Sequence, residues 1–364
     1  MTGPGGSRIA APSTRFIYES LPMRVIFGRG RTADLRSELD HLGLDRVLVL
    51  STPEQQTTAR KVADGFGGRC AGVFPGAVMH VPVDVADQAG RLASELGADG
   101  CVAVGGGSTI GLGKAIALRR GLPIIAVPTT YAGSEMTPIW GVTERGVKHT
   151  GRDRIVLPRS VIYDPELTTS LPIGLSVTSG LNAVAHAAEA LYAPDTSPIL
   201  DLMAEEGARS IVTALPHIVE SPTDHDGRAD ALRGAWLCGA VLGATTMSLH
   251  HKLCHILGGT FGLPHAETHT VVLPHVLAFN LPAAPHAAAA LERALGEADI
   301  AGALWDYARD LGAPTSLREL GMPPDGIDEV VRQAITVPYA NPREISAAAI
   351  SQLLLAAQQG LRPT

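Results

Sequence analysis

Two groups of residues in this 364-residue chain have types and spacings suited to chemistry. The first is the stretch His250-His251-Lys252-Leu253-Cys254-His255, followed by Leu263-Pro264-His265 and then His269. His251 and His255 stand four residues apart, so in a helix both project from one face. His265 follows a Gly-Gly and a Pro that let the chain fold back on that face, and His269 extends the shell one helical turn further. By the same helical geometry His250 points away from the group. Upstream, Asn182 and His186 repeat the four-residue spacing within the Ala-rich segment Leu181–Tyr192. A lone histidine is usually a hydrogen-bonded core residue, and His149, His217, His225, His275 and His286 are read that way. Repeated pairs inside apolar helices favour a concentrated polar site instead.

The second group is Gly105-Gly106-Gly107-Ser108-Thr109, which follows the apolar run Cys101–Val104 and precedes the helical Ile110–Ala117. A strand, a glycine turn and a helix start form a phosphate cradle, because glycines admit close backbone approach and the helix N-terminus offers free N–H groups. The spacing is not GxGxxG, so an ordinary Rossmann dehydrogenase is not implied. After the next apolar run, Ile124–Val127, come Thr129, Thr130 and Ser134, whose hydroxyls are placed to meet the other side of a pyrophosphate. After Val47–Leu50 come Ser51 and Glu54; an acidic residue in such a turn can hold the adenosine ribose, which leaves both NADH and NADPH open.

These residues need elements to hold them. From about residue 23 to 130, short apolar runs (Arg24–Phe27, Arg46–Leu50, Ala71–Phe74, Gly100–Val104, Pro123–Val127) alternate with amphipathic segments such as Asp84–Leu96. That rhythm predicts an α/β, doubly wound parallel-sheet domain that binds a dinucleotide, assigned to residues 15–168. Beyond Asp164-Pro165 the pattern is helical, with Leu181–Tyr192, Ile199–Leu215, Arg228–Leu249 and Ser346–Leu361, and predicts an all-helical substrate domain over residues 169–364. Residues 1–14, rich in Gly, Pro and Ser, are read as a disordered leader.

Bulk properties narrow the function. The net charge of -7 without a basic block argues against nucleic acid, and no apolar run is long enough for a membrane span. The four cysteines show no paired metal spacing and read as reduced thiols of a cytoplasmic protein.

The segments GGGST, PTTYAGSEMTP, NAVAHAAEA, HHKLCHILGG and LPHAETHTVVLPH, in this order, resemble the iron-containing alcohol dehydrogenase superfamily. YAGSEMTPIWG, HHKLCH and LPHAETHTVV are similar to its maleylacetate reductase branch, and the resemblance covers roughly residues 15–360. It implies a cleft between the two domains and NAD(P)H-dependent reduction of maleylacetate to 3-oxoadipate during the degradation of aromatic compounds; a homodimer is the expected assembly. In metal-bearing relatives one Asp and three His hold a divalent ion; the matching positions are Asn182, His186, His251 and His265, with His255 as a further active-site histidine. Asn182 removes the carboxylate, and a neutral amide with three neutral imidazoles gives a hard cation no charge compensation. Zinc can bind three histidines alone, but the expectation is an active site without a metal.

The expected reaction delivers hydride to a carbon–carbon double bond conjugated to a ketone, with a histidine, His251 or His255, donating to the oxygen where charge develops. Lys252 and protonated histidines are expected to receive the carboxylates, and Tyr131 to serve as a secondary donor. The alternatives are a metal-dependent alcohol dehydrogenase, a lyase of the dehydroquinate-synthase type, a related enone-diacid reductase in a biosynthetic pathway, and a catalytically silent paralogue.

Overall fold

The computed structural model describes residues 16–21 and 23–364, so the predicted leader lies outside the described residues. The first half contains β1 (Arg24–Phe27), β2 (Val47–Leu50), β3 (Cys70–Phe74), β4 (Gly100–Gly105), β5 (Ile124–Pro128), β6 (Ile139–Glu144), β7 (Val147–Arg152) and β8 (Ser160–Tyr163). Between the early strands lie α1 (Leu35–Leu42), α2 (Gln56–Asp64), α3 (Val83–Glu95) and α4 (Gly107–Arg120). Six strands form one parallel sheet in the order β1-β8-β5-β4-β2-β3.

Near-continuous apolar strands are what a sheet covered on both faces requires. Val47 and Val49 of β2 pack with Leu35 and Leu39 of α1 and Ala59 of α2. Leu48 and Leu50, on the opposite face, pack with Ala89 of α3 and Leu112 of α4. The expected doubly wound sheet is therefore present. It also holds β8, which the apolar pattern does not reveal, and a separate antiparallel ribbon, β6–β7, lies outside it.

After Tyr163 the described chain is helical: α5 (Ile173–Leu191), α6 (Pro198–Glu220), α7 (His225–Ala244), α8 (Leu249–Phe261), α9 (His265–Asn280), α10 (Pro285–Leu295), α11 (Ile300–Asp310), α12 (Ile327–Thr336) and α13 (Ala347–Gln359). The predicted helix Arg228–Leu249 instead breaks at Thr245, and a new helix starts at Leu249. That break aims the N-terminus of α8 at α5. One core, built on α5, α6 and α7, runs into the sheet through Ala126, Val161 and Tyr163. A second joins α8 and α9 to α12 and α13. Among the described residues no helix is long and apolar enough to cross a membrane.

Candidate active site

The glycine turn forms at the carboxyl end of β4, between neighbours β2 and β5, where open α/β sheets bind ligands. Gly106 caps α4 without any side-chain hydrogen bond, so the first N–H groups of the helix are left for a ligand. A Cβ on Gly105 would collide with Thr109 and Gln55, and one on Gly106 would reach the Thr130 side chain at 2.8 Å. A Cβ on Gly107 would meet nothing within 4 Å, because open space lies above it. Thr109 and Ser51 are buried with hydroxyls that have no partner, and Ser108 is half-buried beside them.

Thr129 is buried, and its hydroxyl accepts a hydrogen bond from Gln55 Nε2 at 2.6 Å. Gln55 thus reaches across the glycine turn from the loop after β2, a position the sequence did not single out. Glu54 is exposed, and hydrogen bonds from its own backbone N–H and from Thr52 hold its carboxyl below the ordinary range.

Ser134 is anchored by its carbonyl, which accepts from Lys114 Nζ at 2.6 Å. Lys114 also donates to Thr137 Oγ1 and the Ile139 carbonyl, and burial brings its ammonium down to about 7 despite the nearby Glu135. The loop from β5 continues to Gly133, which adopts φ 73° and lies backbone-to-backbone against Gly239 of α7, with His186 Nδ1 close by. One short segment therefore links the phosphate cradle to the histidines.

The histidines come together in two layers. His186, His250, His251 and His269 are buried, whereas His255 and His265 are exposed. His186 stacks on His251 with ring centroids 5.1 Å apart, and His265 lies 4.3 Å from His269 by the same measure. His269 contacts both layers and is the centre of the group rather than its edge.

Two expectations are corrected. His250 does not point away: its Nε2 lies 2.9 Å from His269 Nδ1, because α9 crosses the first turn of α8 and meets both adjacent histidines. Tyr131 is fully buried with its hydroxyl accepting from Arg228 Nη1 at 3.2 Å, so it is tied into the core and not presented to a substrate. Lys252 is half-buried, with its Nζ 6.0 Å from the Tyr339 ring centroid.

The residue that organises the cluster was missed in the sequence. Glu189, fully buried on α5, accepts from the backbone N–H of Ser248 at 2.9 Å and of His250 at 2.8 Å, and contacts His251 Nδ1 at 2.7 Å. It caps the N-terminus of α8, where Ser248 supplies no side-chain cap, and it orients the His251 ring. Burial pushes the Glu189 carboxyl up, but the His251 contact and the backbone donors outweigh it and hold the group below its usual range. The available signal was spacing: Glu189 is three residues after His186, on the helix that carries Asn182.

Burial first, and then mutual repulsion, holds His186 and His269 well below 6.5, and the protein crowded around the imidazole of His255, with the neighbouring histidines, shifts it in the same direction. His250 and His265 are held down at about 3. The charges of Lys148, on β7, and His80 add to the depression of His265, although neither residue was marked in the sequence. Asn182 Oδ1, His186 Nδ1, His251 Nε2 and His269 Nε2 are buried without a protein partner. A substrate bearing several oxygens would accept from the imidazole N–H groups among these atoms, whereas Asn182 Oδ1 needs a donor.

The residues present do not fit the family's divalent ion. Asn182 brings no charge, and among the described residues His186, His251 and His265 do not gather their ligand atoms into one group.

Residues 22–165 match the family model described as iron-containing alcohol dehydrogenase, and residues 176–358 match the C-terminal model of the same family. Maleylacetate reductase from Burkholderia cepacia is 57% identical over 349 residues, 96% of this chain and 99% of that protein. This chain belongs to the maleylacetate reductase branch of the iron-containing alcohol dehydrogenase family. It is accordingly an oxidoreductase. The maleylacetate reductase from Sphingobium indicum is 55% identical over 96% of this chain and 99% of that one. The crystal structure of maleylacetate reductase from Agrobacterium tumefaciens superposes with a TM-score of 0.93, at 52% identity, over 96% of this chain and all of that chain.

Proposed function

We propose that this protein reduces maleylacetate to 3-oxoadipate in the cytoplasm, as a homodimer, during aromatic-compound breakdown. The family assignment supports the reaction, and the observation that carries the substrate is the nest of buried, unpartnered polar atoms around His186, His251 and His269. A neutral alcohol has one oxygen to offer them, whereas an oxo-dicarboxylate has five.

Bound NADH or NADPH supplies the hydride to the alkene carbon β to the ketone. Gly106, Gly107, Ser108 and Thr109 hold its pyrophosphate, facing Thr129 and Thr130, and Ser51 lines the same crevice. Negative charge develops on the enone oxygen, and His251 is the donor placed for it: Glu189 fixes the ring through Nδ1 and leaves Nε2 free. A proton then reaches the carbon α to the ketone, which completes addition of two hydrogens across the double bond. His255 and His265, exposed at the outer layer, meet the substrate's carboxylates with Lys148 beyond them. Since His255 and His265 are held toward the neutral form in the free protein, binding a dianion draws protons onto them, and affinity for the diacid falls as pH rises.

The test compares kcat/KM for maleylacetate, its monoacid analogue and simple aldehydes, before and after exhaustive chelation. Loss of one carboxylate is expected to cost on the order of 2–5 kcal/mol in transition-state binding, with activity retained after chelation. Equal turnover of aldehydes, or activity restored only by added iron or zinc, would instead establish a metal-dependent alcohol dehydrogenase.

A further inference from the structure

Behind the reacting face lie two donors that the proposed reaction does not use, His250 and Cys254, and His269 turns its Nδ1 toward them while its Nε2 faces the substrate nest. His250 and Cys254 are four residues apart on α8, and His269 faces them from α9. All are buried, at 0%, 2% and 0% exposure. His250 Nε2 lies 2.9 Å from His269 Nδ1 and 3.6 Å from Cys254 Sγ, and the ligand atoms of the trio lie within 4.8 Å of one another.

Metal–nitrogen bonds of about 2.0–2.1 Å and metal–sulfur bonds of about 2.3 Å, at tetrahedral angles, separate N from S by roughly 3.5 Å and N from N by roughly 3.3 Å. The Cys254–His250 separation already matches. The two histidines need to part by a few tenths of an ångström, and Cys254 Sγ, within 4.8 Å of the His269 ligand nitrogen, must come to roughly 3.5 Å from it.

We propose that His250, Cys254 and His269 form a binding site for a soft d10 ion, Cu⁺ or Zn²⁺. The site shares no residue with the family's metal positions, here Asn182, His186, His251 and His265. Its chemistry is also different, because a thiolate selects soft ions where a carboxylate-and-imidazole set would take iron.

The charges close. Cys254 releases its thiol proton on binding, so Cu⁺ with the thiolate is neutral. Zn²⁺ leaves one positive charge, which Glu189 offsets from its hydrogen bond to the His250 backbone. The rings must present lone pairs at His250 Nε2 and His269 Nδ1, and their remaining protons move to His250 Nδ1 and His269 Nε2, neither of which has a protein partner. No oxidant or reductant is required, since binding changes only protonation.

The experiment titrates chelator-stripped full-length protein with Co²⁺, without substrate or dinucleotide, so it is independent of the proposed reaction. One Co²⁺ per chain is expected, with a thiolate-to-cobalt charge-transfer band in the near ultraviolet that imidazole or amide ligands cannot produce. Cys254→Ser should abolish the band and weaken binding at least tenfold, and His269→Gln should weaken it similarly. Displacement by Zn²⁺ and by Cu⁺, run as separate arms, identifies which ion the site prefers. The wild-type spectrum needs no variant, so a folding defect cannot obscure the answer. Co²⁺ bound without the band, or no Co²⁺ bound, would leave His250 and His269 as a plain hydrogen-bonded pair and overturn the site.

Discussion

Gly107→Ala separates what the glycine turn does for the fold from what it does for the cofactor. Gly107 is the first residue of α4, and a Cβ there would enter space with no protein atom within 4 Å. For the fold the change is mildly favourable, since alanine replaces glycine in a helix with a gain of up to roughly 0.5–1 kcal/mol. For a bound pyrophosphate it is unfavourable, because the methyl group stands where the phosphate oxygens approach the N–H groups. Losing one charge-assisted hydrogen bond costs about 1.5–3 kcal/mol, which raises Kd roughly 10- to 150-fold. Gly107→Val should do more. Gly106→Ala would not make the same distinction, because its new atom meets Thr130 at 2.8 Å and disturbs the fold as well. The assay is dinucleotide titration by fluorescence alongside thermal unfolding. An unchanged Kd in Gly107→Ala would refute the placement of the pyrophosphate, whatever happened to Tm.

Glu189→Gln keeps the shape of the group but removes the carboxylate that fixes the His251 ring; kcat should fall about 100-fold or more with KM little changed, measured at steady state. Lys148→Ala removes an exposed charge beyond His255 and His265, so KM for the diacid should rise about fivefold and lose much of its salt dependence while kcat holds. The buried histidines also fix the acid limit. Their folded-state affinity for protons lies below the unfolded value, so the unfolded chain binds more protons as pH falls, and stability present above pH 6.5 is lost below it. His250 alone, at about 3 against 6.5, should contribute a loss of roughly 1.4 kcal/mol for each pH unit below 6.5. Tm measured from pH 7.5 to 5 should therefore fall steeply, and a flat profile would mean that these histidines are charged in the folded protein.

Periodicity read the sheet well where strands were continuous apolar runs. It missed Ser160–Tyr163, a short strand with a polar first residue between two loops, and the ribbon Ile139–Arg152, whose residues are mostly half-buried or exposed and so carry no strong apolar pattern. Helical spacing found the histidines that share a helix face. It misplaced His250 because spacing within one helix cannot tell how a second helix crosses it. Tyr131 failed for a related reason: proximity in sequence to a functional residue says little about where a side chain turns once Arg228 is available. Glu189, Lys114 and Gln55 act by holding other groups, and a supporting residue leaves its mark in contacts between distant segments rather than in a local motif.

The meeting of Gly133 and Gly239 has a consequence for recombination. A Cβ on either residue would fall within 3 Å of the other's backbone, so the nucleotide-binding half and the histidine-bearing half are aligned by direct main-chain contact with no side chain as a spacer. Side chains can rotate to absorb a mismatch, but two abutting backbones cannot. Halves exchanged between relatives would therefore need glycine on both sides of this joint, in addition to a matched core at Ala126, Val161 and Tyr163. A single methyl group there would tilt one half against the other and displace the hydride donor from its acceptor, even with every residue of both sites intact.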